Sequence, residues 1–261
     1  MKLSHVKLED FSIWQDYYWQ YQFNLADEYY IPLLNEWGVS VAGKKVLDVG
    51  CGNGGFTAAF GLNGSQCVGV EIREVDWKSA KNVTYKLQDI TERDAHLNLG
   101  DDFDIIILRD VIEHIPLEKK KEFFGSLKKF SHKDTLILVT FPPFYSPFGL
   151  HQQTYLKSAL RKIPYLSWKP GFILHPFLNL FGESKEAIDN IKEIRTCRMT
   201  ISYFEKLTKD LDFIIKFKRF FSIRPSHEIR YGWKTSISSV GGIRWLRELF
   251  VIGTVYLMKY K

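Results

Sequence analysis

The sequence predicts an α/β fold with a doubly wound, mainly parallel β-sheet. Short apolar segments alternate with helical segments between residues 45 and 141, an order typical of parallel strands joined by helices. The first strand runs directly into a glycine-rich turn, VLDVGCGNGG at 46–55. A later segment, FDIIIL at 103–108, is apolar at nearly every position, which is typical of a central strand covered on both faces.

The apolar pattern gives bounds for each element. The predicted strands are Lys45–Val49, Gln66–Glu71, Val83–Gln88, Phe103–Leu108, Thr135–Phe141, Phe213–Phe221 and Leu249–Tyr260. The predicted helices are Gly54–Leu62, Pro116–Phe130, which opens with a proline at a favoured position, and Ser202–Leu211, with Ser202 as N-cap and Glu205 three residues later.

Three segments lie outside this alternation. Residues 1–40 contain a helical stretch dense in Trp and Tyr, which we expect Pro32 to kink or break and which we interpret as a lid. Within the main domain, 41–261, the segment 142–198 is rich in prolines and aromatic residues and is too long for a plain connection. We interpret it and a second excursion, 222–248, as inserts that carry a lid or a substrate site.

The charge is unevenly distributed along the chain. Residues 151–261 carry a net charge of +11, whereas residues 1–150 carry −5. The basic half is either a solvated face or a surface for an anionic partner, such as nucleic acid or a membrane surface. No run reaches the roughly 18 to 20 apolar residues that a membrane-spanning helix needs. The three cysteines have no metal-ligand spacing, which favours a reducing, cytoplasmic setting and no metal site.

The glycine-rich turn is the most informative motif. Glycines at this position allow a tight turn with positive φ and a close approach of a ligand to the backbone. Gly50, Gly52 and Gly55 fit the dinucleotide pattern G-x-G-x-x-G, while Gly50, Gly52 and Gly54 fit G-x-G-x-G. Asp48 favours the second pattern, because a carboxylate is poorly suited to lie beside a pyrophosphate but can pair with a ligand ammonium group. It could instead cap the following turn.

With Asp48 included, the motif D-x-G-x-G-x-G resembles the first motif of the Rossmann-like S-adenosylmethionine-dependent methyltransferases. The resemblance covers residues 40–141 and the two late strands. It implies S-adenosyl-L-methionine as the cofactor and a seven-stranded sheet whose last strand is antiparallel. A nicotinamide or flavin oxidoreductase of similar fold is the remote alternative.

The resemblance also implies individual cofactor contacts. Glu71 ends the second strand, where the family places an acid on the ribose hydroxyls, and Asp89 follows the third strand, where it places a contact to the adenine amino group. The loop after the fourth strand borders the methionine moiety. The predicted cofactor-binding residues are Asp48, Gly50, Cys51, Gly52, Glu71, Ile72, Asp89, Ile90, Arg109, Asp110 and Val111.

Methyl transfer to oxygen or nitrogen also needs a group that accepts the acceptor's proton. His114, after the fourth strand, and His151, after the fifth, are the candidate catalytic residues, with His151 the preferred base. His227, in the run HEIRYG, is a third candidate, and that run could be a strand. Glu113 could bind a substrate cation, although a solvent-facing role at a helix start is the commoner one.

The sequence therefore predicts a methyltransferase whose acceptor is a small molecule, a sugar or glycan, or a lipid-linked compound, methylated on oxygen. An RNA or protein methyltransferase is the alternative, motivated by the basic, aromatic C-terminal half. A binding module without activity is a further possibility that the intact motifs argue against. The sequence carries no signal for the oligomeric state.

Overall fold

An eight-stranded β-sheet forms the centre of the computed structural model, which describes residues 2–261. The strands follow the spatial order 3-2-1-4-5-8-6-7. Strands one to five are parallel, and strand eight runs antiparallel to both of its neighbours. The strands are β1 (Lys45–Val49), β2 (Gln66–Glu71), β3 (Val83–Leu87), β4 (Phe103–Arg109), β5 (Ser131–Phe141), β6 (Phe213–Ile223), β7 (Ser236–Ile237) and β8 (Gly253–Tyr260).

This topology confirms the doubly wound sheet with an antiparallel final strand. The strand count differs from the predicted seven, because the second insert adds the two-residue edge strand β7. That strand pairs with Phe221 and Ile223 of β6. Two residues are too few for a period-two pattern to be recognised in a sequence.

Helices cover both faces of the sheet, each over its own apolar core. Within residues 2–261, none of them is long and apolar enough to cross a membrane. The α-helices are α1 (Trp14–Leu25), α2 (Ile31–Glu36), α3 (Gly55–Leu62), α4 (Ala95–Leu99), α5 (Lys120–Ser126), α6 (Gln152–Tyr155), α7 (Gly171–Leu180), α8 (Lys185–Cys197), α9 (Ile201–Asp210), α10 (Pro225–Tyr231) and α11 (Arg244–Phe250).

The N-terminal aromatic segment is helical, but Pro32 does not break it. A π-helical turn, Ala26–Tyr30, joins α1 to α2, and the Ile31 N–H donates to the carbonyl of Ala26. Pro32 then lies in the first turn of α2, where its missing N–H costs little. The irregularity therefore precedes the proline. Residue 1 of the predicted segment lies outside the described residues.

Several predicted boundaries need correction. The predicted helix Pro116–Phe130 is regular only in α5 and has 3-10 turns before and after it. The N-cap of α9 is Thr200, whose hydroxyl accepts from the Tyr203 N–H, and Ser202 lies inside the helix. The last strand begins at Gly253, because the residues just before it form α11.

The first insert has a small core of its own. Helix α8 turns one apolar stripe, which includes Ile188 and Ile191, toward Leu174 and Leu178 of α7. An amphipathic helix of this kind is stabilised by burying that stripe. The insert is therefore folded structure rather than an extended connection, although its predicted role as a lid remains a prediction.

Candidate active site

The carboxyl ends of β1, β2, β4 and β5 meet at one edge of the sheet, and the predicted site residues follow these ends. Gly50 and Gly52 follow β1 with φ of +72° and +55°, in the left-handed region that glycine adopts freely. A Cβ on Gly50 would lie 2.6 Å from Val111, but a Cβ on Gly52 would meet no atom within 4 Å. The turn therefore leaves open space at Gly52, as a ligand cradle requires.

Glu71 lies beside this turn with only 6% of its surface exposed. Its carboxylate accepts hydrogen bonds from the Gly52 N–H at 3.2 Å and the Ile72 N–H at 3.0 Å. Arg73 lies 3.4 Å from the same carboxylate. These contacts orient Glu71 at the rim of the cradle, where a carboxylate suits a vicinal diol, so the residues present fit a nucleoside ligand.

The remaining predicted adenosine contacts lie nearby in sequence but differ in exposure. Ile72 is 69% exposed, whereas Ile90 is buried. Asp89 is exposed and accepts from the N–H and the hydroxyl of Thr91, at 2.8 and 2.7 Å. Their roles in cofactor binding remain predictions.

Two aromatic residues that the sequence analysis did not single out cover the turn. The indole of Trp77 donates to the Gly52 carbonyl at 2.8 Å, and the Tyr85 hydroxyl donates to the Gly54 carbonyl at 2.9 Å. The two rings are stacked, with centroids 5.5 Å apart. A Cβ on Gly54 would lie 2.5 Å from Tyr85, so that glycine is required by packing.

Asp48 points toward α3. It is buried and accepts from the hydroxyl of Thr57 at 2.5 Å, which ties β1 to that helix. Burial raises the pKa of Asp48 to about 6. This hydrogen bond gives the residue a structural role beside the predicted cofactor contact. Cys51, also predicted to touch the cofactor, is buried in the same turn.

A charged cluster follows β4. One terminal nitrogen of Arg224 lies 2.7 and 2.6 Å from the two carboxylate oxygens of Asp110, and Arg109 lies 3.5 Å away. Asp110 has a φ of +54° and also accepts from the Thr140 hydroxyl at 3.0 Å. Burial alone would raise the pKa of Asp110, but Arg224 and Arg109 outweigh it and lower the pKa to about 2. The cluster fixes the loop that follows β4.

The two predicted catalytic histidines lie together. The rings of His114 and His151 have centroids 5.4 Å apart in an edge-to-face arrangement, and the ring of Tyr155 stacks on His151 at 6.4 Å. His151 has a φ of +53°. Burial and the neighbouring His114 lower the pKa of His151 to about 3, and burial also lowers the pKa of His114. Both rings are therefore neutral at neutral pH and able to accept a proton.

Glu113 is buried, so the solvent-facing role expected of it at a helix start is wrong. It is 3% exposed, and neither of its carboxylate oxygens has a hydrogen-bond partner within the described part of the chain. Burial, followed by the charge of Asp110, raises its pKa well above the usual range. Helix α8 of the first insert packs against this turn and excludes water from it, and the sequence of the turn carries no signal for that contact.

The second insert packs on the N-terminal helix. The run HEIRYG forms the end of α10 rather than a strand, with Gly232 at its C-cap. The guanidinium of Arg230 lies 5.4 Å from the centre of the Tyr21 ring of α1. His227 lies three residues after Arg224, the N-cap of this helix, and burial followed by Arg224 lowers the pKa of His227 to about 4. Segments at opposite ends of the chain therefore share the wall beside Asp110.

Comparison with known proteins shows the family to which the chain belongs. A methyltransferase domain model matches residues 18–173. Among curated proteins, the ubiquinone biosynthesis O-methyltransferases of Pseudomonas savastanoi pv. phaseolicola (strain 1448A / Race 6) and Pseudomonas putida (strain W619) are 32% and 34% identical over 94 residues. Each alignment spans 33% of this chain and only 40% of the relative.

Solved structures share the fold at low sequence identity. Magnesium protoporphyrin IX methyltransferase from Synechocystis PCC 6803 with bound SAH has a TM-score of 0.53 and 16% identity, covering 93% of this chain and 84% of that one. The 1,6-didemethyltoxoflavin-N1-methyltransferase of Burkholderia thailandensis has a TM-score of 0.51 and 12% identity, covering 96% and 81%. Since the domain match spans more than half of the sequence, the chain belongs to the methyltransferase domain family.

Proposed function

We propose that the chain methylates an oxygen atom of a small molecule, a sugar or glycan, or a lipid-linked compound. The observation that carries this proposal is the pair His114 and His151, which lies beside the loop that follows β4, next to the cofactor turn. The similarity to O-methyltransferases of ubiquinone biosynthesis, limited to 94 residues, agrees with an oxygen acceptor.

The residues of the site divide between binding and proton transfer. The turn at Gly50 and Gly52, with Glu71, would hold the adenosine part of S-adenosylmethionine, whose sulfonium would supply an already activated methyl group. The protein then aligns the acceptor in line with that methyl group and excludes water. His151 accepts the proton of the acceptor hydroxyl, and His114 packs against the His151 ring in an edge-to-face arrangement.

The low pKa of His151 limits the range of hydroxyl groups that this residue could deprotonate. General base catalysis is most effective when the pKa of the base lies near the working pH, and a weaker base depends on a more acidic proton donor. An imidazole with a pKa of about 3 is a weak base. It therefore fits an acidic hydroxyl, such as a phenol, better than the alcohol of a sugar.

Labelled methyl transfer tests this proposal. Purified protein would be incubated with methyl-labelled cofactor and matched phenolic, alcoholic, glycan and lipid-linked acceptors, with total RNA and protein in parallel reactions. We expect transfer to oxygen, with phenols preferred over alcohols. Transfer only to RNA or protein would overturn the proposal and favour the alternative that the basic C-terminal half suggests. The Gly52→Val variant, in which we expect cofactor binding to be weakened, serves as the negative control.

We also propose a cytoplasmic location. The three cysteines, Cys51, Cys67 and Cys197, are all free thiols, and free thiols are typical of a reducing compartment. Fractionation of cells expressing the tagged chain would test this proposal, with recovery in an oxidising compartment as the contrary result.

A further inference from the structure

Helix α7 of the first insert is predominantly apolar, yet only one side is buried. The 13 residues from Pro170 to Gly182 include no Asp, Glu, Lys or Arg, and His175 and Asn179 are the polar side chains of the helix. Leu174 and Leu178 pack into the core of the insert, whereas Phe172, Ile173, Phe177 and Leu180 are exposed. This apolar outer face of α7 lacks a cover within the described residues.

The uncovered face is continuous and includes large side chains. Phe172 and Leu180 are 79% and 80% exposed. The full set, which we name the α7 face, is Trp168, Phe172, Ile173, Phe177, Leu180 and Phe181. Single exposed apolar residues are ordinary, but a contiguous group of six large ones marks an interaction surface.

Basic side chains flank the α7 face in the sequence. Between residues 157 and 185 the exposed charged groups are five cations, at Lys157, Arg161, Lys162, Lys169 and Lys185. The one carboxylate in this range, Glu183, is buried and accepts from the N–H groups of Lys157 and Ser158. The next exposed carboxylates are Glu186 and Asp189 on α8, and Asp189 pairs with Lys192, so the cations outnumber the unpaired carboxylates near this face.

We infer that the α7 face docks onto a membrane surface that contains anionic lipids. Aromatic and aliphatic side chains flanked by Lys and Arg are the composition of helices that lie in the lipid interface, with the indole of Trp near the headgroups. A helix of ten residues is too short to span a bilayer but long enough to lie in its surface. A second copy of the chain is a poorer occupant, because a symmetric contact would bring the two sets of cations together.

The position of the insert connects this surface to the site. The same insert begins with the loop that carries His151 and includes α8, which packs against the turn of Glu113 and His114. Docking through α7 would hold the acceptor side of the site near the bilayer, where an amphiphilic acceptor partitions. The inference goes beyond the proposed reaction and does not depend on which acceptor is methylated.

Vesicle sedimentation tests the inference with the full chain. Vesicles of phosphatidylcholine alone would be compared with vesicles containing 30% phosphatidylglycerol, at low and at high salt. We expect binding to the anionic vesicles and weakening by salt. The double variant Phe172→Ser/Leu180→Ser should bind at least tenfold more weakly. Lys162→Glu or Lys169→Glu should weaken binding about fivefold or more, because each cation near an anionic surface contributes about 1 kcal/mol, which corresponds to about a fivefold change in affinity.

Matched controls lie far from the insert. Leu97→Ser changes a leucine on α4 that is 74% exposed, and Lys133→Glu changes an exposed lysine near the start of β5. Both should leave vesicle binding unchanged. Absence of binding by the folded wild-type chain, or equal weakening by the controls, would overturn the inference. Concentration-dependent dimerisation that the Phe172→Ser/Leu180→Ser variant abolishes would show that a second copy covers the face instead. Methyl transfer to a water-soluble acceptor, measured without vesicles, separates failure of docking from failure of the proposed reaction.

Discussion

The ion pair between Asp110 and Arg224 offers a quantitative test of how the second insert is attached to the site. The substitution Asp110→Asn removes the charge while keeping the shape of the side chain. It leaves the Arg224 guanidinium, whose side chain is only 16% exposed, without its carboxylate partner and Arg109 without its neighbour. We expect the folded state to lose stability, because an unpaired buried charge is costly.

The expected magnitude follows from the pKa of Asp110. That pKa is about 2 in the folded protein and 3.8 for the unperturbed group. A difference of nearly two units corresponds to about 2 to 3 kcal/mol of folding free energy at neutral pH. Breaking a fully buried pair by removing one partner typically costs about 3 to 5 kcal/mol. The Asp110–Arg224 pair is partly exposed, so we expect a loss nearer the first figure.

The pH dependence gives a second check. Because the folded pKa is lowered, the stabilisation is fully present above the unfolded value of 3.8 and is lost as the pH falls through about 2. The difference in unfolding free energy between wild type and Asp110→Asn should therefore be constant between pH 8 and pH 5. Urea unfolding at several pH values in this range would measure it.

Two comparisons make this test decisive. Asp102→Asn removes a carboxylate that is 59% exposed and lies 2.5 Å from Lys45, and it should change the urea midpoint little. In a double-mutant cycle, Asp110→Asn and Arg224→Met should be less destabilising together than their sum. Equal effects of Asp110→Asn and Asp102→Asn would refute the reasoning, as would a difference that disappears between pH 8 and pH 5.

Four further predictions concern the site itself. Glu71→Ala should weaken cofactor binding by about 1.5 to 3 kcal/mol, because a hydrogen bond to a charged group is lost; unchanged affinity in calorimetry would contradict the ribose role. Gly52→Val should weaken binding more, since it strains a φ of +55° and fills the space beside the turn. Gly125→Ala is the matched control, because its added Cβ would meet no atom within 4 Å and its φ is ordinary, and it should bind the cofactor normally in the same assay. His151→Ala should lower turnover roughly 10²- to 10⁴-fold and leave cofactor affinity unchanged. The loss should be a constant factor from pH 5 to 8, because the pKa of His151, about 3, keeps its ring neutral in this range. A wild-type rate would exclude His151 as the base, whereas a substitution at His114 should disturb cofactor binding instead. Hydrogen exchange should slow in the predicted lids, Trp14–Tyr30 and Phe144–Phe181, when cofactor and acceptor bind, and no change in either would rule out the lids.

The sequence by itself determined the strand–turn–helix unit at the glycine-rich turn and the parallel direction of the first five strands. Both rest on local patterns. The glycines directly follow the apolar run of β1, and the acid directly ends the apolar run of β2. The parallel order of the strands then places Glu71 and the loops carrying His114 and His151 at one edge of the sheet. The comparisons confirm the family that the sequence predicted, and the cofactor and the individual residue roles remain predictions.

Only the tertiary structure decided which distant groups meet at that edge. Arg224 binds Asp110 across 114 residues of sequence, and nothing local to either residue indicates the other. Glu113 became a buried, unpartnered carboxyl because α8 packs on its turn, and HEIRYG became a helix because α10 packs on α1. Burial and charge pairing depend on the arrangement of both inserts around the loops of the sheet. The free energy that fixes this arrangement comes from contacts between segments far apart in the chain, which hydrophobic periodicity and turn chemistry do not encode.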